Sequence, residues 1–152
     1  MISLRPVNLG NLDTLFNLAV HPAQKGLVTP NPKTLAEIHY TSGGYVFAIC
    51  NDDDIVGLLA MIDLREHDEL LDGDDPNAAF MLRLMVGAEF QGQGFGKGAV
   101  AKAIAWAKDR GNSQFQTAYV PGNEAARRLY ESFGLRETGR LIEGEIEMSL
   151  KL

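Results

Sequence analysis

Leu84-Met-Val-Gly-Ala-Glu-Phe-Gln-Gly-Gln-Gly-Phe-Gly-Lys-Gly98 runs from an apolar segment through a short polar break into glycines at positions 92, 94, 96 and 98. That order predicts a strand feeding a turn that opens a helix. Glycine inside a helix or strand costs roughly 0.5 to 1 kcal/mol relative to alanine, so bare backbone at alternate positions needs a cause. Anion binding is one cause. Glycine lets amides approach a ligand closely, and the first N–H groups of a helix have no partner within it and sit at its positive end. A tight turn demanding positive φ is the other, and this stretch alone leaves both open.

Upstream, Ile2 to Arg5 reads as a strand stopped by Pro6, followed by helical spacing of Leu12, Leu15, Phe16 and Ala19 up to Pro22. Val28 to Pro32 reads as irregular because of its two prolines, and Lys33 to Tyr40 as a short helix. Tyr45 to Cys50 and Ile55 to Leu64 are apolar strands joined by the turn Asn51-Asp-Asp-Asp54, and Ala79 to Val86 is a third, interrupted only by Arg83. Downstream, a helix from Lys97 carries Val100, Ala103, Ile104 and Ala107 on one face and ends at Gly111. Phe115 to Val120 is a strand, Asn123 an N-cap, and Ala126, Leu129, Tyr130 and Phe133 mark the face of the next helix. Strands around Leu135 to Leu141 and Glu145 to Leu150 complete the order βααβββαβαββ. The expected architecture is one α/β domain over residues 1–152, a mixed central sheet of about seven strands flanked by about four helices.

Composition narrows the function. A formal charge of −6 argues against a nucleic-acid partner and suits a cationic one. Residues 66 to 75 hold six acids and no Lys or Arg, whereas six of the 14 basic residues fall between Lys97 and Arg128. The acidic stretch reads as a solvated loop or as a surface that attracts cations. Apolar runs too short to span a membrane and an amino terminus unlike a signal peptide lead to the expectation of a cytoplasmic protein. Cys50 reads as a buried, inert thiol, and His21, His39 and His67 are isolated, so no metal site is expected.

Three phosphate-binding devices compete for the glycine stretch. A P-loop fails, since Lys97 is followed by glycine rather than Ser or Thr and position 91 is glutamine. Gly94-Phe-Gly-Lys-Gly-Ala99 satisfies G-x-G-x-x-[GA], yet it sits mid-chain with too few βα units after it for a doubly wound sheet. The third is the pyrophosphate loop of acyl-CoA transferases. Gln91-Gly-Gln-Gly-Phe-Gly96 resembles the [QR]-x-x-G-x-[GA] signature of the GNAT family of N-acetyltransferases. Asn123, Ala126, Tyr130 and Gly134 resemble the family's N-x-x-A-x-x-x-Y-x-x-x-G-F motif, with Leu135 in place of the usual Phe. Val28 to Glu37 and Glu137 to Met148 are similar to bacterial spermine/spermidine-type members.

The resemblance implies acetyl-CoA as cosubstrate, no metal, and a small amine as acceptor, a polyamine first of all. Other amines stay open: an amino sugar, an amino acid, a peptide or a protein N-terminus. A non-catalytic acyl-CoA-binding regulatory module is the alternative from another class. The cofactor would lie between the strands at Ala79 to Val86 and Phe115 to Val120. Leu84 and Val86 would face the pantetheine arm, since direction alternates along a strand. The pyrophosphate would sit on amides of Gln91, Gly92, Gly94 and Gly96 with Lys97 adding charge, and a backbone N–H near Val86 would hold the oxyanion. Asn123 is either helix cap or pantetheine contact, or both. Tyr130 is the expected acid for the leaving thiolate. A carboxylate must take the amine's proton. Glu143, Glu145 and Glu147, expected on one strand face, and Asp63 are the choices, with Glu145 preferred. The carboxy-terminal strands leave an edge that a second subunit could pair with.

Overall fold

Seven strands form one sheet in the order β1-β2-β3-β4-β5-β7-β6, and the computed structural model describes all residues 1–152. The strands are β1 (Ile2–Pro6), β2 (Gly44–Asn51), β3 (Asp54–Asp63), β4 (Ala78–Val86), β5 (Gln114–Tyr119), β6 (Arg136–Ile142) and β7 (Glu145–Lys151). Every neighbouring pair is antiparallel except β4 and β5. The helices are α1 (Leu9–Asn17), α2 (Asn31–His39), α3 (Phe95–Asp109) and α4 (Glu124–Ser132), which gives the expected element order.

The sheet is buried on both faces. Val56, Leu59, Met61, Ala79, Met81 and Phe115 pack with Val100 and Ala103 of α3 and Tyr130 of α4. Leu58, Ala60, Ile62, Ala78 and Met85 pack on the other face with Leu15 of α1 and Ile38 of α2. Two-sided burial explains why β2 and β3 read as continuous apolar runs rather than as an alternating pattern. No helix is long and apolar enough to cross a membrane.

Helix boundaries depart from the sequence reading where capping overrides periodicity. α1 opens at Leu9, because the Asn8 side chain accepts from the Gly10 and Asn11 amides and the Asn11 side chain accepts from Asn8 N–H. α2 opens at Asn31 inside the segment read as irregular. Its first turn takes Pro32, since no N–H is needed there. α3 opens at Phe95, two residues early, with Gly94 as its N-cap at φ 83°.

One departure from regular pairing positions the site. β4 pairs with β5 only from Ala78↔Gln114 to Met81↔Thr117, and beyond that point the two strands part. The register between β3 and β4 slips at the same place, Ala60↔Arg83 being followed by Met61↔Met81, so Leu82 is an extra, unopposed residue. Such a bulge bends its strand and adds twist, and here it coincides with the opening of the sheet.

Candidate active site

The parting of β4 and β5 makes a groove of about 750 Å³. Leu84, Val86, Gln91, Gly96, Asn123, Tyr130 and Glu145, seven of the ten residues expected at the site, line it. Gly92, Gly94 and Lys97 lie outside the lining, in the turn that closes its end.

Along the β4 wall, Gln91 Nε2 donates to Val86 O at 3.0 Å while Gly87 N–H donates to Val56 O of β3 at 2.9 Å. Val86 therefore turns its carbonyl away from β3, and strand alternation gives Leu84, two residues earlier, the same direction. Leu84 packs with the α3 and α4 side of the core and Met85 with the opposite side. The Gln91 amide is held from elsewhere as well. It exchanges reciprocal hydrogen bonds with Gln24, at 3.2 and 3.0 Å, tying the segment between α1 and α2 to the glycine turn. Gln24 carries no sequence signal for this role.

At the turn, the backbone N–H groups of the six consecutive residues from Gly92 to Lys97 donate to nothing within the chain. Gly92 at φ 79° and Gly94 at φ 83° fold the backbone into this arrangement, and Phe95, Gly96 and Lys97 supply the first turn of α3. The four glycines thus have different causes. A Cβ on Gly98 would stand 2.8 Å from Ile2 Cγ1, so that glycine serves packing, while a Cβ on Gly96 would meet nothing closer than Val86 Cγ2 at 3.8 Å. Gly96 keeps the groove's end open. The turn reading holds, since Gly92 and Gly94 take positive φ, and the same angles leave the amides without a partner inside the chain, as an anion site would require.

On the β5 and α4 wall, Asn123 caps α4 by accepting from Ala126 N–H at 3.3 Å and also faces the groove. Tyr130 is buried at 7 % exposure. Burial pushes its phenol up to about 12, hydrogen bonding with Thr117 works the other way, and the Glu145 carboxylate adds to the rise. Thr117 also donates to Met81 O at 3.0 Å, at the last pairing before the strands part. Tyr119 lines the groove too, but its hydroxyl donates to Glu137 Oε1 at 2.6 Å, whereas the Tyr130 hydroxyl donates to no carboxylate.

The four carboxylates proposed as base separate into two pairs. Asp63 accepts hydrogen bonds from Arg65, Arg110 and Asn112 at full burial. Glu147, 3 % exposed, accepts from Thr138 at 2.9 Å and Arg140 at 3.1 Å. Both are structural and neither lines the groove. Glu143 and Glu145 line it, but Glu143 is not on a strand face as expected. It occupies the two-residue turn between Ile142 and Glu145 at φ 49°, followed by Gly144 at φ 83°. Positive φ at both central positions is the turn that suits a right-twisted hairpin. No group of three or more His, Cys, Asp or Glu side chains converges as a metal site would require.

A parallel strand pair splayed toward a helix N-terminus with unpartnered amides, and a buried phenol in the opening, is the arrangement that the resemblance to acyl-CoA-dependent transferases implies. Residues 12–135 match the Acetyltransferase (GNAT) family, and the chain belongs to it. The protein is accordingly an acetyl-CoA-dependent N-acetyltransferase. No curated protein matches the sequence. Among solved structures, the aminoglycoside acetyltransferase AAC(6')-Ib in complex with coenzyme A and kanamycin superposes with a TM-score of 0.81 at 18% identity, over 99% of this chain and 95% of that one. The PaiA N-acetyltransferase of Thermoplasma acidophilum in complex with coenzyme A gives 0.70 at 17%, over 100% and 99%. A GNAT family acetyltransferase of Elizabethkingia anophelis with acetyl-CoA bound gives 0.67 at 16%, over 99% and 98%.

Proposed function

We propose that the protein transfers the acetyl group of acetyl-CoA to the primary amine of a small molecule by direct attack. The carrying observation is that an open β4 edge, six unpartnered amides and the Tyr130 phenol belong to one continuous opening. Leu84 and Val86 would bind the pantetheine arm through their backbone groups. The amides from Gly92 to Gly96, beside Gln91 and Lys97, would bind the pyrophosphate, and Asn123 would add a contact from the cap of α4. Coenzyme A and kanamycin in the AAC(6')-Ib structure agree with a groove that admits both a thioester and an amine.

Attack needs a neutral amine. An alkylamine of pKa about 10.4 lies roughly 3.4 units above pH 7, a cost of about 4.6 kcal/mol. Glu145 takes that proton, directly or through a water. A backbone N–H near Val86 holds the oxyanion of the tetrahedral intermediate, and Tyr130 protonates the thiolate as it leaves, the phenolate regaining a proton from the second N–H that the nitrogen loses on becoming an amide. With the phenol at about 12 and a thiol at about 8.5, donation is uphill by about 3.5 units, on the order of 5 kcal/mol. Tyr130 therefore gives its proton in concert with expulsion of the thiolate.

A polyamine is the acceptor that the likeness to spermine/spermidine-type members supports, together with the acidic balance and the adjacent Glu143 and Glu145. Arg83 and Lys33, which also line the groove, favour a second reading, an amine that also carries negative charge. A cytoplasmic location goes with either, and the exposed β6 edge is the surface on which a second copy would pair. A thiol-release assay over a panel of amines tests the reaction. Tyr130→Phe is expected to lower kcat by about 100-fold with the acetyl-CoA dissociation constant unchanged. Undiminished kcat would remove Tyr130 from the chemistry, and acetyl-CoA binding without turnover of any amine would make the protein a regulatory acyl-CoA-binding module.

A further inference from the structure

We infer that the acceptor side of the groove holds an anion subsite, built by Arg83 and Lys33, for an amine that also carries an anionic group. The inference rests on the acetyltransferase reading and specifies its acceptor.

The bulge at Leu82 creates the subsite. Phe80 and Leu82 point toward α1 and α2, and Met81 toward α3, so plain alternation would send residue 83 to the α3 side. The extra residue sends Arg83 to α2 instead, where it donates to Glu37 Oε2 at 3.2 Å. Alternation then restarts with Leu84 toward α3. Arg83 consequently stands on the side of the sheet opposite Tyr130, at the point where β4 leaves β5.

Its charge is only partly matched. Glu37 also pairs with Lys33 Nζ at 3.6 Å, so one carboxylate serves two cations. Both cations line the groove and Glu37 does not. Of the five N–H donors of a guanidinium, Arg83 uses two, on Glu37 and on Leu82 O at 3.1 Å. Lys25 also lines the groove, but its neighbour Gln24 is bonded to Gln91, which places it near the pyrophosphate end.

The facing wall has the opposite sign. Glu145 lies two residues from Glu147 and shares its face of β7, whereas Ile146 and Met148 face the α3 and α4 core. Glu145 is thus on the same side of the sheet as Arg83, across the opening, with Glu143 beside it. A compartment with carboxylates on one wall and a fork-shaped cation on the other complements a zwitterion. The amine meets Glu145, where its proton must go. A carboxylate or phosphate matches the planar donor fork of arginine, whereas the second ammonium of a polyamine would be driven from it.

The test compares matched acceptor pairs by thiol release: an amino acid against its decarboxylated amine, O-phosphoethanolamine against ethanolamine, and spermidine alongside. The anionic member of a pair is expected to show a KM lower by about tenfold or more. The pair with the larger gap identifies the anion as carboxylate or phosphate. Arg83→Gln should raise KM for the anionic member by roughly tenfold and leave the KM of its partner lacking the anionic group, and the acetyl-CoA dissociation constant, unchanged. Because Arg83 also braces Glu37, the exposed Lys33→Gln provides a second variant, expected to shift the same KM by about two- to threefold. Preference for spermidine, or equal effects of both substitutions on the two members of a pair, overturns the subsite. Acetyl-CoA binding with no amine turned over overturns the acetyltransferase reading itself.

Discussion

Asp63 at the end of β3 accepts from Arg65, Arg110 and Asn112, while beyond the far end of the adjacent strand β4, from Gly92 to Lys97, six amides in succession donate to nothing. Both regions gather hydrogen-bonding groups at the margin of the same sheet. In the first they satisfy one another. Arg110 also contacts the rings of Tyr45 and Trp106 and bonds Glu66, so the network is closed by packing as well as by charge. In the second, positive φ at Gly92 and Gly94 holds the donors apart from any acceptor of the chain. The difference separates a polar cluster whose groups are taken up by the fold from one whose donors remain unused. The former is complete in the free protein, and the latter leaves open the donors that the proposed pyrophosphate site requires.

Removing the centre of the closed network is the largest perturbation. Asp63→Ala removes a fully buried carboxylate from two arginines that still reach solvent, Arg65 at 34% and Arg110 at 27% exposure, so the cost is about 3 kcal/mol, at the low end for a broken buried pair. The loss should appear in urea unfolding, with acetyl-CoA affinity of the folded protein retained. Burial works to raise the Asp63 pKa, but hydrogen bonds from Arg65, Asn112 and Arg110 outweigh it and hold the carboxyl far below the usual carboxylate range. Its contribution is therefore fully present above the unfolded value of about 3.9 and is lost as pH falls below it. Weakened acetyl-CoA binding without lost stability would erase the distinction between the two regions.

Perturbing the open region should give the converse. Gly94→Val forces a β-branched residue to φ 83°, which displaces the amides at the start of α3. The acetyl-CoA dissociation constant is expected to rise by about tenfold or more, for a stability loss of roughly 1 to 3 kcal/mol. Calorimetric titration of acetyl-CoA measures the first and urea unfolding the second. An unchanged dissociation constant would deny these amides their part in binding.

The two regions were unequally legible in the sequence. The open one announced itself locally: glycines at alternate positions, then apolar residues at helical spacing, then Asn123 and Tyr130 in register. Each of those features is set by residues a few positions apart. The Asp63 network depends on partners at 110 and 112, which only the folded sheet brings near. Glu147 misled for the same reason, because its partners Thr138 and Arg140 lie on the neighbouring strand. The bulge at Leu82 left no Gly or Pro behind. Its one trace was Arg83, a lone charge in an apolar strand, and that charge could not say which face it would take.

Tyr130 belongs to both kinds of region, since it is buried like Asp63 yet faces the groove, and the pH dependence of turnover shows which character governs it. A general acid must carry its proton, so activity falls as pH rises through the pKa of the folded acid. An exposed tyrosine would impose that fall near pH 10. With the phenol at about 12, the acid stays protonated throughout the range in which an alkylamine loses its proton. For an acceptor amine of pKa about 10.4, kcat/KM should therefore show no descending limb between about pH 7 and pH 10. The measurement is kcat/KM against pH at saturating acetyl-CoA. A descending limb centred below about pH 10 would mean that the phenol is not held up by burial when it acts, or that another group is the acid.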